Sequence, residues 1–251
     1  NDTLALLSPQ VAAVVRKEFR YLTRNGFAFL TLLLPPLLVL LFSTQISSFG
    51  PTGHTRRIAP DLFFPGMIAY LILIMMAPAY NCFAYEGRGI QTYFMVPLRF
   101  RIVFLGKNLM LAAVLAAETL LSMAVLALRV GFPSPPRLVA TFAAIIFTVV
   151  GQFVIANWSS LSFPRKLEFG QMRGQRQSGM AVLVAMGAQI FLGGISGLIF
   201  AAGYWTRNPW LPAEIFAFLA VAAVGGYLAS LDALTGLAEQ KKETLIEALC
   251  R

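Results

Sequence analysis

The stretch that decides the fold runs from Leu138 to Trp158 and reads LVATFAAIIFTVVGQFVIANW. It contains no charged residue. An α-helix of about 20 predominantly apolar residues is long enough to cross a bilayer. Such a segment must satisfy its backbone hydrogen bonds internally, because lipid offers none. The stretch therefore predicts a transmembrane helix.

Five further segments have similar length and composition, at 27–48, 62–85, 108–128, 180–204 and 210–231. The whole chain of 251 residues is 58% hydrophobic and only 12% charged, with a mean hydropathy of +0.72. Soluble domains carry about 25% charged residues, so a water-soluble globule is excluded. We expect an all-α, polytopic membrane protein whose domain at 27–231 has six transmembrane helices.

Basic residues are distributed unequally between the connecting segments. Fifteen of the 20 Lys and Arg residues precede the first span or follow the second, fourth and sixth. Since Lys and Arg accumulate on the cytoplasmic side of membrane proteins, both termini are predicted to be cytoplasmic. The net charge of +9 follows largely from this topology. A nucleic-acid partner would need the basic residues on one solvated face, so membrane lipid is the expected partner instead.

The flanking segments at 1–26 and 232–251 have amphipathic patterns. Apolar residues recur at three- and four-residue spacing from Val11 to Leu22, opposite a stripe formed by Arg16, Arg20 and Arg24. This pattern predicts a helix lying on the inner leaflet, with a solvated helix as the alternative. The tail at 232–251 is predicted to be a second cytoplasmic surface helix.

The loop after the second span carries a distinctive pattern. Gly87 and Gly89 allow the chain to bend sharply, and an apolar stripe at helical spacing follows them. That stripe consists of Ile90, Tyr93, Phe94 and Pro97. An apolar knob bordered by charges is what a groove on a partner protein binds. The alternative is a segment lying among lipid headgroups.

The sequence does not contain the P-loop motif for nucleotide binding. Gly106-Lys107 resembles the end of a P-loop, but the motif GxxxxGK[ST] requires glycine at 101 and Ser or Thr at 108. The chain has Arg101 and Asn108 at these positions. We therefore expect no ATP site of this type in this chain.

Metal and hydrolase chemistry are likewise not indicated. The single histidine, His54, excludes multi-histidine metal motifs, and two distant cysteines, Cys82 and Cys250, give no disulfide framework. The pattern GxSxG fails around Ser196. We expect a protein that is not an enzyme, with no catalytic residue, no metal site and no cofactor bound by this chain.

Glu118 lies in the middle of the third predicted span. Placing a charge there costs on the order of 3 kcal/mol, so such residues are candidates for function. A proton-coupled site is one interpretation. The other is a protonated carboxyl group that is hydrogen-bonded to Ser122 or to a neighbouring helix.

The order of these segments resembles the membrane subunit of ABC exporters of the ABC-2 permease class. The resemblance is carried by the run from Lys17 to Arg24, by Tyr85-Glu86-Gly87-Arg88-Gly89, and by Leu105-Gly106-Lys107-Asn108. The segment from Val96 to Leu98 and the loop beginning at Phe163-Pro164-Arg165 are also similar to that class. The match covers essentially the whole chain.

The resemblance implies a function and its partners. A separate ATP-binding cassette subunit would hydrolyse ATP with Mg²⁺, and a second permease unit or half would complete the exporter in the bacterial inner membrane. It also implies a coupling helix made by Glu86, Gly87, Arg88, Gly89, Ile90, Tyr93, Phe94 and Pro97, and an interfacial helix with Arg16, Lys17, Glu18, Arg20 and Arg24. Because the chain begins with Asn1, it is expected to be the C-terminal half of a longer permease or a processed chain.

Two other functions fit the same sequence. A secondary transporter would use Glu118 as its proton site. A membrane anchor or scaffold would bind partners without moving a substrate.

Overall fold

The computed structural model describes residues 7–24, 34–42, 60–84, 86–96, 98–129, 131–164 and 179–250, and within these residues every regular element is helical. A 3₁₀ turn at Gly87–Gly89 precedes the fourth α-helix. The helices are α1 (Pro9–Arg24), α2 (34–42), α3 (Pro60–Ala79), α4 (Ile90–Met95), α5 (Phe100–Arg129), α6 (Pro135–Ser162), α7 (Gly179–Trp205), α8 (Leu211–Gln240) and α9 (Lys242–Cys250).

Helices α5 to α8 are each long and apolar enough to cross a membrane, so the chain is membrane-embedded. They overlap the third to sixth predicted spans, but α5 begins eight residues before its predicted span and α8 ends nine residues after its predicted span. At 1.5 Å per residue, the 30 residues of α5 and of α8 extend well beyond a hydrocarbon core of about 30 Å.

The first two predicted spans are only partly described. Helix α3 ends at Ala79, six residues before the predicted end at 85, and its apolar helical stretch is Asp61–Ile74. Most of the first predicted span, 27–48, lies outside the described residues, which cover only 34–42 of it. The count of six spans therefore stays a prediction.

Helix α6 is the centre of the bundle, because it packs along α8 and also contacts α3 and α7. The rings of Phe64 on α3 and Phe142 on α6 meet edge to face, with centroids 6.0 Å apart. Phe153 on α6 and Tyr227 on α8 lie 6.4 Å apart. The decisive stretch at 138–158 is thus buried against several helices rather than only against lipid.

Two polar contacts fix the helix ends and the register. The backbone N–H and the hydroxyl group of Ser134 donate to the carboxylate of Asp61 at 2.7 and 2.9 Å, which ties the start of α6 to the start of α3. In the interior, Asn108 Nδ2 on α5 donates to the Tyr227 hydroxyl oxygen on α8 at 2.8 Å. Because the Asn108–Tyr227 hydrogen bond is buried, it specifies the pairing of α5 with α8.

The predicted amphipathic helix near the start of the chain is present as α1, and it packs against α5. Val11, Val14 and Val15 are buried. A Cβ atom on Gly106 of α5 would lie 2.5 Å from Val14 Cγ1 and 2.6 Å from Val14 Cβ. The apolar face assigned to the bilayer surface is therefore covered over its first half by α5, while Phe19 stays exposed.

The segment 232–251 is not the separate surface tail that the sequence predicts. Helix α8 continues without a break to Gln240, and α9 follows after Lys241 alone. Leu245 and Leu249, one turn apart on α9, are fully buried and pack near the Gly87–Gly89 turn and α4. The polar side of α9 is exposed, whereas its apolar stripe is covered by another part of the same chain. The cytoplasmic position of this segment stays a prediction.

The contact between α1 and α5 leads to a first prediction. Gly106→Ala should lower the free energy of unfolding by about 1–3 kcal/mol, because the methyl group overlaps the stiff β-branched side chain of Val14. Thermal unfolding in detergent measures this loss. Gly193→Ala is the control, since a Cβ there meets no atom within 4 Å. Equal stability of the two variants would contradict the close approach, and adding Val14→Ala to Gly106→Ala should restore stability.

Candidate functional site

Four parts of the chain meet at the N-terminal end of α5. They are α1, the Gly87–Gly89 turn with Glu86, α4, and the first two turns of α5. Residues 86–96 are called the bent segment below. The charged and phenolic groups that meet here form the ion-pair cluster, which consists of Lys17, Glu18, Glu86, Tyr93 and Lys107.

Lys107 is the most buried member of the ion-pair cluster, with 5% of its side chain exposed. Its Nζ lies 2.5 Å from Glu86 Oε1 and 2.8 Å from Glu18 Oε1. The residue follows Gly106, where α5 lies close against Val14 of α1, and its side chain reaches carboxylates on both α1 and the bent segment. A buried ammonium group without partners is very costly, and the two carboxylates remove that cost.

Glu86 accepts three further contacts on its carboxylate. Lys17 Nζ donates to Glu86 Oε2 at 2.5 Å and to Glu86 Oε1 at 2.6 Å. Tyr93 accepts from Lys17 at 2.8 Å and donates to Glu86 Oε1 at 3.0 Å. The ion-pair cluster contains two cations and two anions, so its formal charges cancel and it tolerates burial.

Protonation in the ion-pair cluster follows from these contacts. Burial alone would raise the pKa of Glu86, but Lys107 and Lys17 outweigh it and lower the pKa from 4.5 to about 2. Burial, together with the Glu86 carboxylate, raises the pKa of Tyr93 even though Lys107 opposes this. Glu86 therefore stays ionised and Tyr93 stays a hydrogen-bond donor throughout the physiological pH range.

An aromatic cluster lies beneath the charges. The ring of Phe100, at the start of α5, lies 4.8 Å from the ring of Phe94 and 6.3 Å from that of Tyr93. Phe83 contacts Phe100 and Phe104 edge to face, with ring centroids 6.2 and 5.7 Å apart. These contacts hold the bent segment on α5 through apolar burial as well as through ion pairs.

The predicted apolar knob faces inward, and that prediction is wrong. Ile90 is fully buried, and Tyr93 and Phe94 are half-buried against Phe100. Pro97 lies outside the described residues. Periodicity identifies two faces of a helix but does not say which one meets the protein. Here the larger apolar side chains find partners on α5.

The outer face of the bent segment is made by Arg88, Thr92, Met95 and Val96, all exposed. These positions also follow helical spacing, and Met95 is 78% exposed. Sequence reasoning placed Arg88 in the coupling region but missed the other three residues. The signal available for them was the spacing from Arg88 to Thr92 to Met95, on the face opposite Ile90.

The interfacial residues of α1 divide into two groups. Lys17 and Glu18 belong to the ion-pair cluster, whereas Arg16, Arg20 and Arg24 are exposed. These arginines border an open concavity of about 680 Å³, together with Ala13, Lys17 and Tyr21. Their guanidinium groups form a basic surface suited to anionic groups.

Glu118 lies on α5 about 16 Å along the helix axis from Lys107, so it is separate from the ion-pair cluster. It is buried, and its carboxylate oxygens make no hydrogen bond to the part of the chain that the structure describes. Ser122 Oγ is also buried without such a bond, so the predicted hydrogen bond between the two residues is not present.

Comparisons with protein-family models, curated proteins and solved structures found no match to this chain. In the described ranges, no group of three or more His, Cys, Asp or Glu side chains is placed to hold a metal ion. A functional assignment therefore depends on the geometry of the bent segment, the ion-pair cluster and Glu118.

The shifted pKa of Glu86 leads to a second prediction. Since this pKa is lower in the folded chain than its ordinary value of 4.5, its stabilising contribution is complete above pH 4.5 and is lost as the pH falls toward 2. The Glu86→Gln variant should be less stable than the wild type at pH 7. Its stability should also depend less on pH between pH 4.5 and 2. Thermal midpoints across this range measure both effects. Glu239→Gln, at an exposed carboxylate, should keep the wild-type slope.

Lys107 gives a third prediction by comparison with Arg101 on the same helix. Lys107→Met should cost about 3–5 kcal/mol of unfolding free energy, because it leaves buried carboxylates without their main partner. Arg101→Met should cost less than about 1 kcal/mol, since its ion pair with Asp232 has side chains 40% and 72% exposed. Denaturation of both variants in the same detergent tests the contrast. Similar losses of unfolding free energy in the two variants would contradict the conclusion that the buried Lys107 ion pairs matter more than the exposed Arg101 ion pair.

Proposed function

We propose that this chain is the membrane-spanning permease subunit of an ABC-2 exporter. It moves an unidentified substrate across the membrane, using ATP hydrolysed by a separate ATP-binding cassette subunit. The observation that carries the proposal is the ion-pair cluster, because it joins the bent segment to a long apolar helix. A push on the bent segment is thereby transmitted into the membrane.

Transmission requires the bent segment and α5 to move together. Glu86 and Lys107 lie 2.5 Å apart with side chains 7% and 5% exposed, so separating them would expose two charges to a poorly solvated space. The aromatic contacts between Phe94 and Phe100 resist the same motion. Force on α4 therefore tilts α5 instead of bending the short connection between them.

The outer face of the bent segment has the chemistry of a docking surface. Met95 and Val96 present exposed apolar area on the same segment as the exposed Arg88. Flexible methionine side chains adapt to grooves, and arginine is frequent among residues that dominate binding energy. A partner groove with an apolar floor and an acidic rim fits this face.

The distribution of basic residues supports a cytoplasmic position for this face. Fifteen of the 20 Lys and Arg residues lie in segments on the same side as the bent segment. ATP is available on that side in a bacterial inner membrane. The partner subunit would bind ATP and Mg²⁺, and both termini of this chain would be cytoplasmic.

A second permease unit or half completes the proposed exporter. Helix α7 presents a face of exposed large apolar side chains, including Leu183, Ile190, Phe191 and Leu198. In the membrane, such a face meets either lipid or another permease helix. The assembly is a homodimer, or a pseudo-dimer if the chain is half of a longer permease.

Glu118 favours a second candidate function, a proton-coupled secondary transporter. A buried carboxyl group in a membrane helix without a hydrogen-bond partner in the described residues is the type of group that binds and releases a proton. This function predicts flux driven by a pH gradient without nucleotide, abolished by Glu118→Gln. A scaffold would show neither this flux nor ATP-driven flux.

The exporter proposal gives a fourth prediction at the outer face. Met95→Asp and Arg88→Glu should each weaken binding of an ATP-binding cassette subunit that co-purifies with this chain by at least tenfold, or about 1.4 kcal/mol. Their thermal midpoints should not change, because both side chains are exposed. Binding is measured by titration of the purified ATPase onto the permease in nanodiscs.

The control for this experiment is Phe132→Asp. Phe132 is an apolar side chain of similar exposure, 73%, in the connection between α5 and α6 at the opposite end of α5. It should leave binding unchanged. Absence of ATPase binding to the wild type would contradict the exporter assignment, and wild-type affinity in both outer-face variants would contradict the docking surface.

A further inference from the structure

Helix α9 lies directly against the bent segment. Leu245 and Leu249 are fully buried, and α9 contacts both the Gly87–Gly89 turn and α4. Ile246 is partly buried and packs against the same apolar core. Two leucines one turn apart form a continuous apolar ridge, so α9 is attached to the bent segment along one side.

Polar contacts of α9 reach the two ends of the bent segment. Near the first end, Gln91 Nε2 donates to Cys250 Sγ at 3.6 Å, and Cys250 Sγ lies 4.0 Å from the carbonyl oxygen of Gly87. Near the other end, Lys242 Nζ lies 5.4 Å from the centre of the Phe94 ring. The bent segment is therefore held between the ion-pair cluster and α9.

The junction between α8 and α9 is short and hydrogen-bonded. Lys241 N–H donates to the carbonyl oxygen of Leu237 at 3.0 Å, and Leu245 N–H donates to that of Lys241 at 2.9 Å. Lys241 Nζ also donates to Ser162 Oγ, at the end of α6, at 3.2 Å. Such a junction has little freedom to hinge, so α9 and α8 move as connected rigid elements.

We propose that α9 is a positioning arm that links the bent segment to α8, in parallel with the link through α5. Movement of the bent segment then shifts α8 and its neighbour α6 together with α5, rather than α5 alone. The role of this arm in transport rests on the proposed exporter function. The contact between α9 and the bent segment does not depend on it.

The contact is tested by hydrogen exchange of the chain in nanodiscs, without any partner. Combining Leu245→Ala with Leu249→Ala should increase amide exchange of residues 86–96 at least fivefold, because the apolar ridge is removed. Thr244→Ala, at an exposed neighbouring position, should leave exchange unchanged. Replacing both leucines by methionine should restore protection. Unchanged exchange in the alanine variant would overturn the proposal.

A cross-link tests the same contact without weakening it. In a Cys82→Ala background, Gln91→Cys places a second thiol beside Cys250. A short bifunctional thiol reagent should join the two positions within one chain, as shown by mass spectrometry of the digested protein. Absence of this cross-link when both thiols react with a small maleimide would overturn the placement of α9.

The positioning role is tested with the ATP-binding cassette protein. The permease is expected to raise the rate at which the bound ATP-binding cassette protein hydrolyses ATP. The double alanine variant should bind this protein with wild-type affinity, because the outer face is intact, but the increase in hydrolysis rate should be at least fivefold smaller. The cross-linked protein should keep that stimulation, since the arm stays engaged. Full stimulation in the alanine variant, or its loss on cross-linking, would overturn the role of the arm.

These outcomes separate two failures. If the wild type binds no ATPase, the exporter function fails and the exchange result still decides whether α9 holds the bent segment.

Discussion

The burial of one ammonium group determines how this end of the molecule is built. Lys107 follows Gly106, the position where α5 lies close against Val14 of α1, and only 5% of its side chain is exposed. Its charge needs nearby anions, and these come from Glu18 on α1 and Glu86 at the start of the bent segment. Three parts of the chain are therefore held in one arrangement by the solvation requirement of a single residue.

That arrangement decides which side of the bent segment is available to a partner. Glu86 and Tyr93 are directed at Lys107 and Lys17. On the same side, Phe94 packs against the ring of Phe100 on α5, and Ile90 is buried in the same apolar core. The opposite side is left open. An exposed, partly apolar surface on a rigidly attached segment is suited to receiving force from another protein.

Most of the membrane-spanning helices were predictable from sequence, because a long apolar run such as 138–158 directly indicates a helix surrounded by lipid. The predicted third to sixth spans overlap α5 to α8. The site was less predictable. Lys17 and Glu86 are 69 residues apart, and Glu18 and Lys107 are 89 apart, so no local pattern pairs them. In the sequence, Lys107 was counted as a loop charge, which helped to orient the spans but did not show that its side chain is buried. The apolar stripe on α9 likewise did not show that the bent segment covers it.

The ion-pair cluster and Glu118 lie about 16 Å apart along α5, so each supports a different candidate transport mechanism. A proton carrier must change its protonation near neutral pH, but the pKa of Glu86 is held at about 2 by its two lysine partners. Glu86 therefore stays ionised at neutral pH, and a proton-coupled mechanism would have to use Glu118, whose carboxylate oxygens are buried without a hydrogen bond to the described residues. In the proposed ATP-driven mechanism, the charges of the ion-pair cluster would act as a fixed joint, and the outer face of the bent segment would be the contact with the partner.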